Sequence, residues 1–232
     1  MPARPDTPAV SQPRTLVIGC GAIARELVDL VRVNRLAHVD VRCLPPSLHN
    51  RPSEIPAAVE RLLRAARGRY ARIFVAYADC GTGGLLDRVL EREGVERLPG
   101  AHCYEVFAGA SEFARLADEE PGTFYLTDFL ARNFERLVIR GLGIDRHPEL
   151  LTMYFANYRR LVFLSQRQDP ELLAAARRAA RTLGLAFRHV PTGHGDLAAP
   201  IARLAAELPA YVTAEPARSR ARPTAQPPAG AA

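Results

Sequence analysis

Short β-type runs that alternate with helix-periodic segments constrain this chain more than any other feature. The runs "TLVIG" (15–19), "VDVRC" (39–43), "RIFVAY" (72–77), "TFYLT" (123–127), "RLVFLS" (160–165) and "AFRHV" (186–190) are rich in β-branched and aromatic residues. A weaker strand candidate lies near Leu98–Cys103. Between the runs, apolar residues recur with the helical period. Ile23, Leu27, Leu30 and Val31 share one face; Leu62, Leu63 and Ala66 share a second; Leu85, Leu86, Val89 and Leu90 share a third. Asp169-Pro170-Glu171 reads as a helix start, with a capping acid, a proline in the first turn and an early carboxylate. This alternation predicts an α/β fold: a mainly parallel, open, Rossmann-like sheet with helices on both faces.

Residues 14–209 are expected to form a single α/β domain. The segments 1–13 and 210–232, rich in Pro, Ala and Arg, are expected to be disordered because they have too little apolar surface to fold. No apolar run approaches the ~20 residues that span a bilayer, and no signal-peptide-type stretch precedes Thr15. The reading is a cytoplasmic protein without a membrane partner.

The net charge of +6 invites a nucleic-acid reading, which its distribution removes. Arg4, Asp6 and Arg14 contribute +1, and Glu215, Arg218, Arg220 and Arg222 contribute +2, so half of the excess sits at the two ends. The body carries a weak field, and no nucleic-acid partner is expected. Lysine is absent, and the arginines of "LLAAARRAARTLG" read as a solvated helix face.

In open α/β sheets, ligands bind outside the carboxyl ends of the strands. At those ends the sequence places Cys20, then His49 after two prolines, then Asp79-Cys80-Gly81-Thr82-Gly83-Gly84, then His102-Cys103-Tyr104-Glu105. Thr127-Asp128, Ser165-Gln166 and Thr192-Gly193-His194 follow the later strands. Glycines let the backbone of 81–84 turn tightly, and the helix that follows offers unpaired N–H groups to an anionic substrate. A thiol at that position, Cys80, is expected to be more acidic than a free cysteine. Thr82 either caps the helix or bonds a ligand. Cys43 alternates with Val39 and Val41 and is read as a small buried hydrophobe.

Cys20, Cys80 and Cys103 could converge, and with a histidine they would make a Cys3His set of the kind zinc takes. No close C-x2-C pair announces the site. His49, His102 and His194 are the candidate fourth ligands, while His38, His147 and His189 occupy ordinary surface or strand positions. The alternative is an NAD(P)-dependent oxidoreductase, because Gly19, Gly21 and Ala24 fit G-x-G-x-x-A directly after a strand. Asp40 has the spacing of the ribose-binding acid but lies near the start of its strand. A Ser–His–Asp hydrolase is disfavoured, because Ser165 lacks a G-x-S-x-G turn.

At "YADCGTGGLLD", "HCYEVFAG", "GTFYLTDFL" and "LPPSLHNRP" the chain resembles an uncharacterised prokaryotic family, domain of unknown function 1638, over roughly residues 14–205. The family's leading cysteine segment, "GCGAIARE" here, gives Cys20 and Glu26, and the other blocks give His49 and Asn50, Cys80 to Gly84, and Cys103 and Glu105. Ala78 stands where the family pattern has glycine. The resemblance implies an α/β domain and an association, in some microbes, with corrinoid and methyltransferase systems. It supplies no established reaction.

Taken together, the sequence predicts a metal-binding enzyme with Cys20, His49, Cys80 and Cys103 as ligands. Zinc comes first and iron or an iron–sulfur centre second. Glu105 or Asp79 would transfer protons, and Gly81, Thr82, Gly83 and Gly84 would hold an anionic small-molecule substrate. A non-catalytic accessory protein would present the same residues.

Overall fold

The computed structural model describes residues 13–205, so the expected terminal segments fall almost wholly outside the described residues. Among the described residues, seven strands and nine α-helices are interleaved along the chain. The first half contains β1 (Thr15–Cys20), α1 (Ala24–Val33), β2 (Val39–Leu44), α2 (Ile55–Ala66), β3 (Arg72–Ala76), α3 (Leu85–Glu93), β4 (Glu96–Arg97), α4 (Cys103–Ala108) and α5 (Ala110–Glu119). The second half contains β5 (Thr123–Leu126), α6 (Asp128–Arg132), α7 (Glu149–Phe155), β6 (Arg160–Ser165), α8 (Pro170–Leu183), β7 (Ala186–Pro191) and α9 (Ala198–Arg203).

Every strand pairing is parallel. The strands form two sheets, however, in the orders β2-β1-β3-β4 and β5-β6-β7. The division falls where β4 ends. It pairs with β3 only at Glu96 and Arg97, after which the chain turns into α4 and α5. The weak strand expected near Leu98–Cys103 is therefore a turn, and Cys103 opens a helix. Backbone bonds from Asp79 N to Gly100 O and from Cys80 N to Ala101 O tie that turn to the end of β3.

Parallel strands covered on both faces read as continuous apolar runs, and β1 is buried at all six positions. Leu27 and Leu30 of α1 and Val59 and Leu63 of α2 belong to its core. Leu85, expected on the buried face of α3, is exposed at the helix start, while Leu86, Val89 and Leu90 are buried. The chain's last described helix returns to this first sheet: Leu197, Ile201 and Leu204 join its core, and α9 packs on α1. In the second sheet the central strand β6 splits by parity, as its pleat requires. Leu161 and Phe163 pack with α8, while Val162 and Leu164 pack with Leu116 of α5. Asp169 caps α8 as its sequence predicts, accepting from the N–H groups of Glu171 and Leu172.

Cys43 departs from expectation. Its strand lies on the edge of the first sheet, and the residue is exposed although Val39, four residues earlier, is buried. An edge strand has a neighbour on one side only, so alternation no longer implies burial along its whole length.

Candidate functional site

In the first sheet, β1 lies between β2 and β3, so the connection leaving β1 and the one entering β3 run to opposite sides. Strand topology of this kind opens a crevice at the carboxyl ends of the two central strands. A cavity of about 10 Å³ lies there, room for one water or one ion. Its lining includes Cys20, His49, Tyr77, Cys80 and Cys103, closed in by apolar side chains. These five come from the end of β1, the 3-10 turn Pro46–Asn50 after β2, the residue just after β3, the loop that follows, and the first residue of α4. His102 and His194, the other candidate histidines, are not among the lining residues. His102 packs instead against Tyr104 and Phe113.

Cys20 is 3 % exposed, and its sulfur accepts from the N–H of Ala22 at 3.3 Å. It faces Nδ1 of His49 across 3.6 Å. Burial raises the Cys20 thiol, with hydrogen bonding from Ala22 partly offsetting it. Burial likewise lowers the His49 imidazolium, so the ring is neutral. Cys103 is raised by burial and then by Cys80 and Cys20. Cys80 is pushed up to about 12, by burial first and Cys20 second. The acidic thiol expected at Cys80 is therefore a correction. Desolvation and the neighbouring Cys20 outweigh the backbone N–H groups of Ala78 and Cys103 that lower it, while the amides of the glycine turn are engaged elsewhere.

Those amides point at Asp79. Its carboxylate accepts from Thr82 Oγ1 at 2.6 Å, Gly84 N at 2.9 Å and Gly83 N at 3.1 Å. Burial pushes the Asp79 carboxyl up, but these bonds together outweigh it and hold the group below its ordinary range. The glycine turn thus wraps its own anion, and its donors are not directed at a substrate. Thr82 is clasped to Asp79 and does not cap α3, whose N-cap residue is Gly84 in the left-handed region at φ 79°. Glu105 is also engaged locally, accepting from Ala101 N at 2.7 Å across the start of α4. Among the residues proposed for proton transfer, both carboxylates organise loops.

Tyr77 closes the apolar run 72–77, and nothing in that run marks it as a functional residue. It is 1 % exposed, and its hydroxyl has no nitrogen or oxygen partner among the described residues; the Cys20 sulfur lies beside it. Burial first and Cys20 second raise the phenol, and a hydrogen bond between its hydroxyl and the Cys20 sulfur partly offsets the rise of that thiol. The available signal was a phenol placed two residues before Asp79-Cys80.

A second polar group occupies the carboxyl ends of the other sheet. Asp128 and Gln166 exchange backbone-to-side-chain bonds of 2.8 and 3.1 Å. Ser165 Oγ and His189 Nε2 lie 2.8 Å apart, so His189 is less ordinary than its sequence position suggests. Glu26, in the first turn of α1, is buried with Asp128 nearby.

The family model described as protein of unknown function, DUF1638, matches residues 43–200. The chain belongs to the DUF1638 family. His49, Cys80, Cys103 and Glu105 lie inside the DUF1638 match, whereas Cys20 and Glu26 precede it. No curated protein and no solved structure matches the chain. Among the described residues no helix is long and apolar enough to cross a membrane.

The donors around the cavity fit a soft divalent metal in kind: three thiols and a neutral imidazole. In position they fall short. Among the described residues no three His, Cys, Asp or Glu side chains are arranged, as they stand, to hold a metal ion.

Proposed function

We propose that this DUF1638 chain binds a single metal ion, zinc in the first instance, through Cys20, Cys80, Cys103 and His49, and works as an enzyme on a small molecule. The observation that carries the proposal is the convergence of these four soft donors, remote in sequence, on one ion-sized cavity at the switch point of the first sheet. Dispersed structural thiols would have no reason to gather there. Binding requires the sulfurs to rotate inward to about 2.3 Å from the ion and to release their protons, which makes affinity rise with pH. The neutral His49 needs no such release.

Thiolate-held zinc would supply Lewis acidity toward a substrate thiol or water when bound. The chain's own contribution is a dry, apolar enclosure from Ile23, Leu98 and Val106, and a turn fixed by Asp79 that holds Cys80 in place. A reducing, cytoplasmic setting would keep the thiols free. Methyl transfer with a corrinoid or methyltransferase partner is the activity that the family resemblance makes first to assay, and an accessory role would show metal without turnover.

The dinucleotide reading has less support. A β-carbon at Gly21 would come within 2.8 Å of Pro46 and 2.9 Å of the Leu44 carbonyl, so the approach a pyrophosphate needs is filled by the turn after β2. Asp40 is engaged by Arg14 at the opposite end of the sheet. Fluorescence titration with NADH and NADPH should show no saturable binding.

Element analysis of protein purified under reducing, anaerobic conditions tests the metal proposal. We expect about one zinc per chain, falling severalfold in Cys80→Ala and in Cys103→Ala. Iron in place of zinc would change the metal and keep the site. Wild-type protein without stoichiometric metal of any kind would end the proposal.

A further inference from the structure

We infer that the groove along the open edge of β2 binds a small phosphate monoester through the guanidinium groups of Arg42 and Arg69. The groove lies toward the amino ends of the strands, away from the thiol cavity, and does not depend on the metal proposal.

Three observations carry it. A cavity of about 480 Å³, a volume that suits a small organic ligand, is lined by Arg14, Asp40, Val41, Arg42, Arg69 and Tyr70. Three successive residues of β2 contribute, although side chains along a strand alternate between faces. The cavity therefore follows the outer edge of that strand, where among the described residues no further strand pairs. Its charges, secondly, do not balance. The single carboxylate, Asp40, accepts from Nε of Arg14 at 3.1 Å and from a terminal nitrogen of the same guanidinium. Arg14, helped by Tyr70, holds that carboxyl below its ordinary range against burial, so its charge is matched within the lining. Among the described residues neither Arg42 nor Arg69 pairs with a carboxylate. Two cations around one concave space repel each other, and a dianion between them removes the repulsion. Thirdly, Val41 and Tyr70 pack on the first core from behind and give the groove a fixed apolar wall. A phosphoryl group matches the forked donors of the two arginines. The cavity is larger than that group needs, which leaves the wall for an organic body.

Calorimetric titration of the full-length protein with phenyl phosphate tests the assignment. We expect saturable binding with a Kd of about 1 mM or tighter, weakened about tenfold in Arg42→Gln and in Arg69→Gln, each of which removes charge-assisted hydrogen bonds. Arg178→Gln, on the exposed face of α8, should bind as wild type does. No saturable binding to wild type would overturn the inference. So would equal affinity in wild type and all three variants, which would place the ligand elsewhere, or equal weakening in all three, which would report net charge alone. Binding to vesicles containing phosphatidic acid without binding to phenyl phosphate would also overturn it, because the partner would then be a membrane surface. If either groove variant does not fold, arginine modification decides: phenyl phosphate should protect Arg42 and Arg69 of wild type from phenylglyoxal, and unprotected reaction overturns the assignment. None of these outcomes bears on the zinc content, so the groove and the thiol site stand or fall separately.

Discussion

Cys80 and Arg35 are the two non-glycine residues with positive φ among those described, and Cys80 alone lies in the site. A left-handed conformation costs an L-residue roughly 1–2 kcal/mol, and that cost is imposed here by the residues on either side. Asp79 gathers the following amides, and Cys80 N is tied to Ala101 O at 2.7 Å. With metal removed by chelator, Cys80→Gly should therefore be more stable than Cys80→Ala by about 1 kcal/mol. Urea midpoints at unchanged slope would measure the difference, and equal midpoints would show that the backbone strain is absent. The same residue illustrates what sequence could and could not supply. Its place in a glycine-rich bend after a strand was legible. Its protonation was not, because desolvation depends on which side chains surround the sulfur.

At the scale of elements, the local signals were reliable wherever a helix or strand carries its own start and period. Asp169-Pro170-Glu171 sets the start of α8, and its cap accepts two backbone N–H groups. Asp169→Ala should cost about 1 kcal/mol, read as a lower urea midpoint, and an unchanged midpoint would mean that solvent replaces the cap. Elements defined by their neighbours were harder to read. The strand expected at Leu98–Cys103 became a turn because its pairing with β3 lasts two residues, and Cys43 became exposed because its strand lies on an edge. The glycine turn at 81–84 was read as open to an anion, whereas the acid two residues before it, Asp79, already fills it.

The whole molecule brings Glu26 of α1 near Asp128 at the start of α6, joining the carboxyl ends of the two sheets, and Arg167 pairs with Asp29 across the same junction. Burial raises the Glu26 carboxyl first, Asp128 adds to it, and Arg167 partly offsets it. An acid raised in the folded state contributes stability that is complete below its unfolded value of about 4.3 and is lost as pH rises through the folded value. Glu26→Gln keeps the shape and removes the buried charge. Its melting temperature should exceed that of wild type by about 2–4 °C at pH 7.5 and match it near pH 4. A variant that melts lower at both pH values would show that the carboxylate is held by favourable contacts.

The sequence by itself determined the alternation of strands and helices, the parallel pairing that follows from it, and the gathering of polar residues at strand exits. All of these arise from periods and turn chemistry spanning a few residues. The tertiary structure alone decided the break into two sheets, the meeting of Cys20, His49, Cys80 and Cys103 around one cavity, and the burial of Tyr77 beside them. Those outcomes depend on contacts between segments far apart in the sequence, as Cys20 and Cys103 are, and burial, which sets their chemistry, is a property of the packed chain and of no single stretch of it.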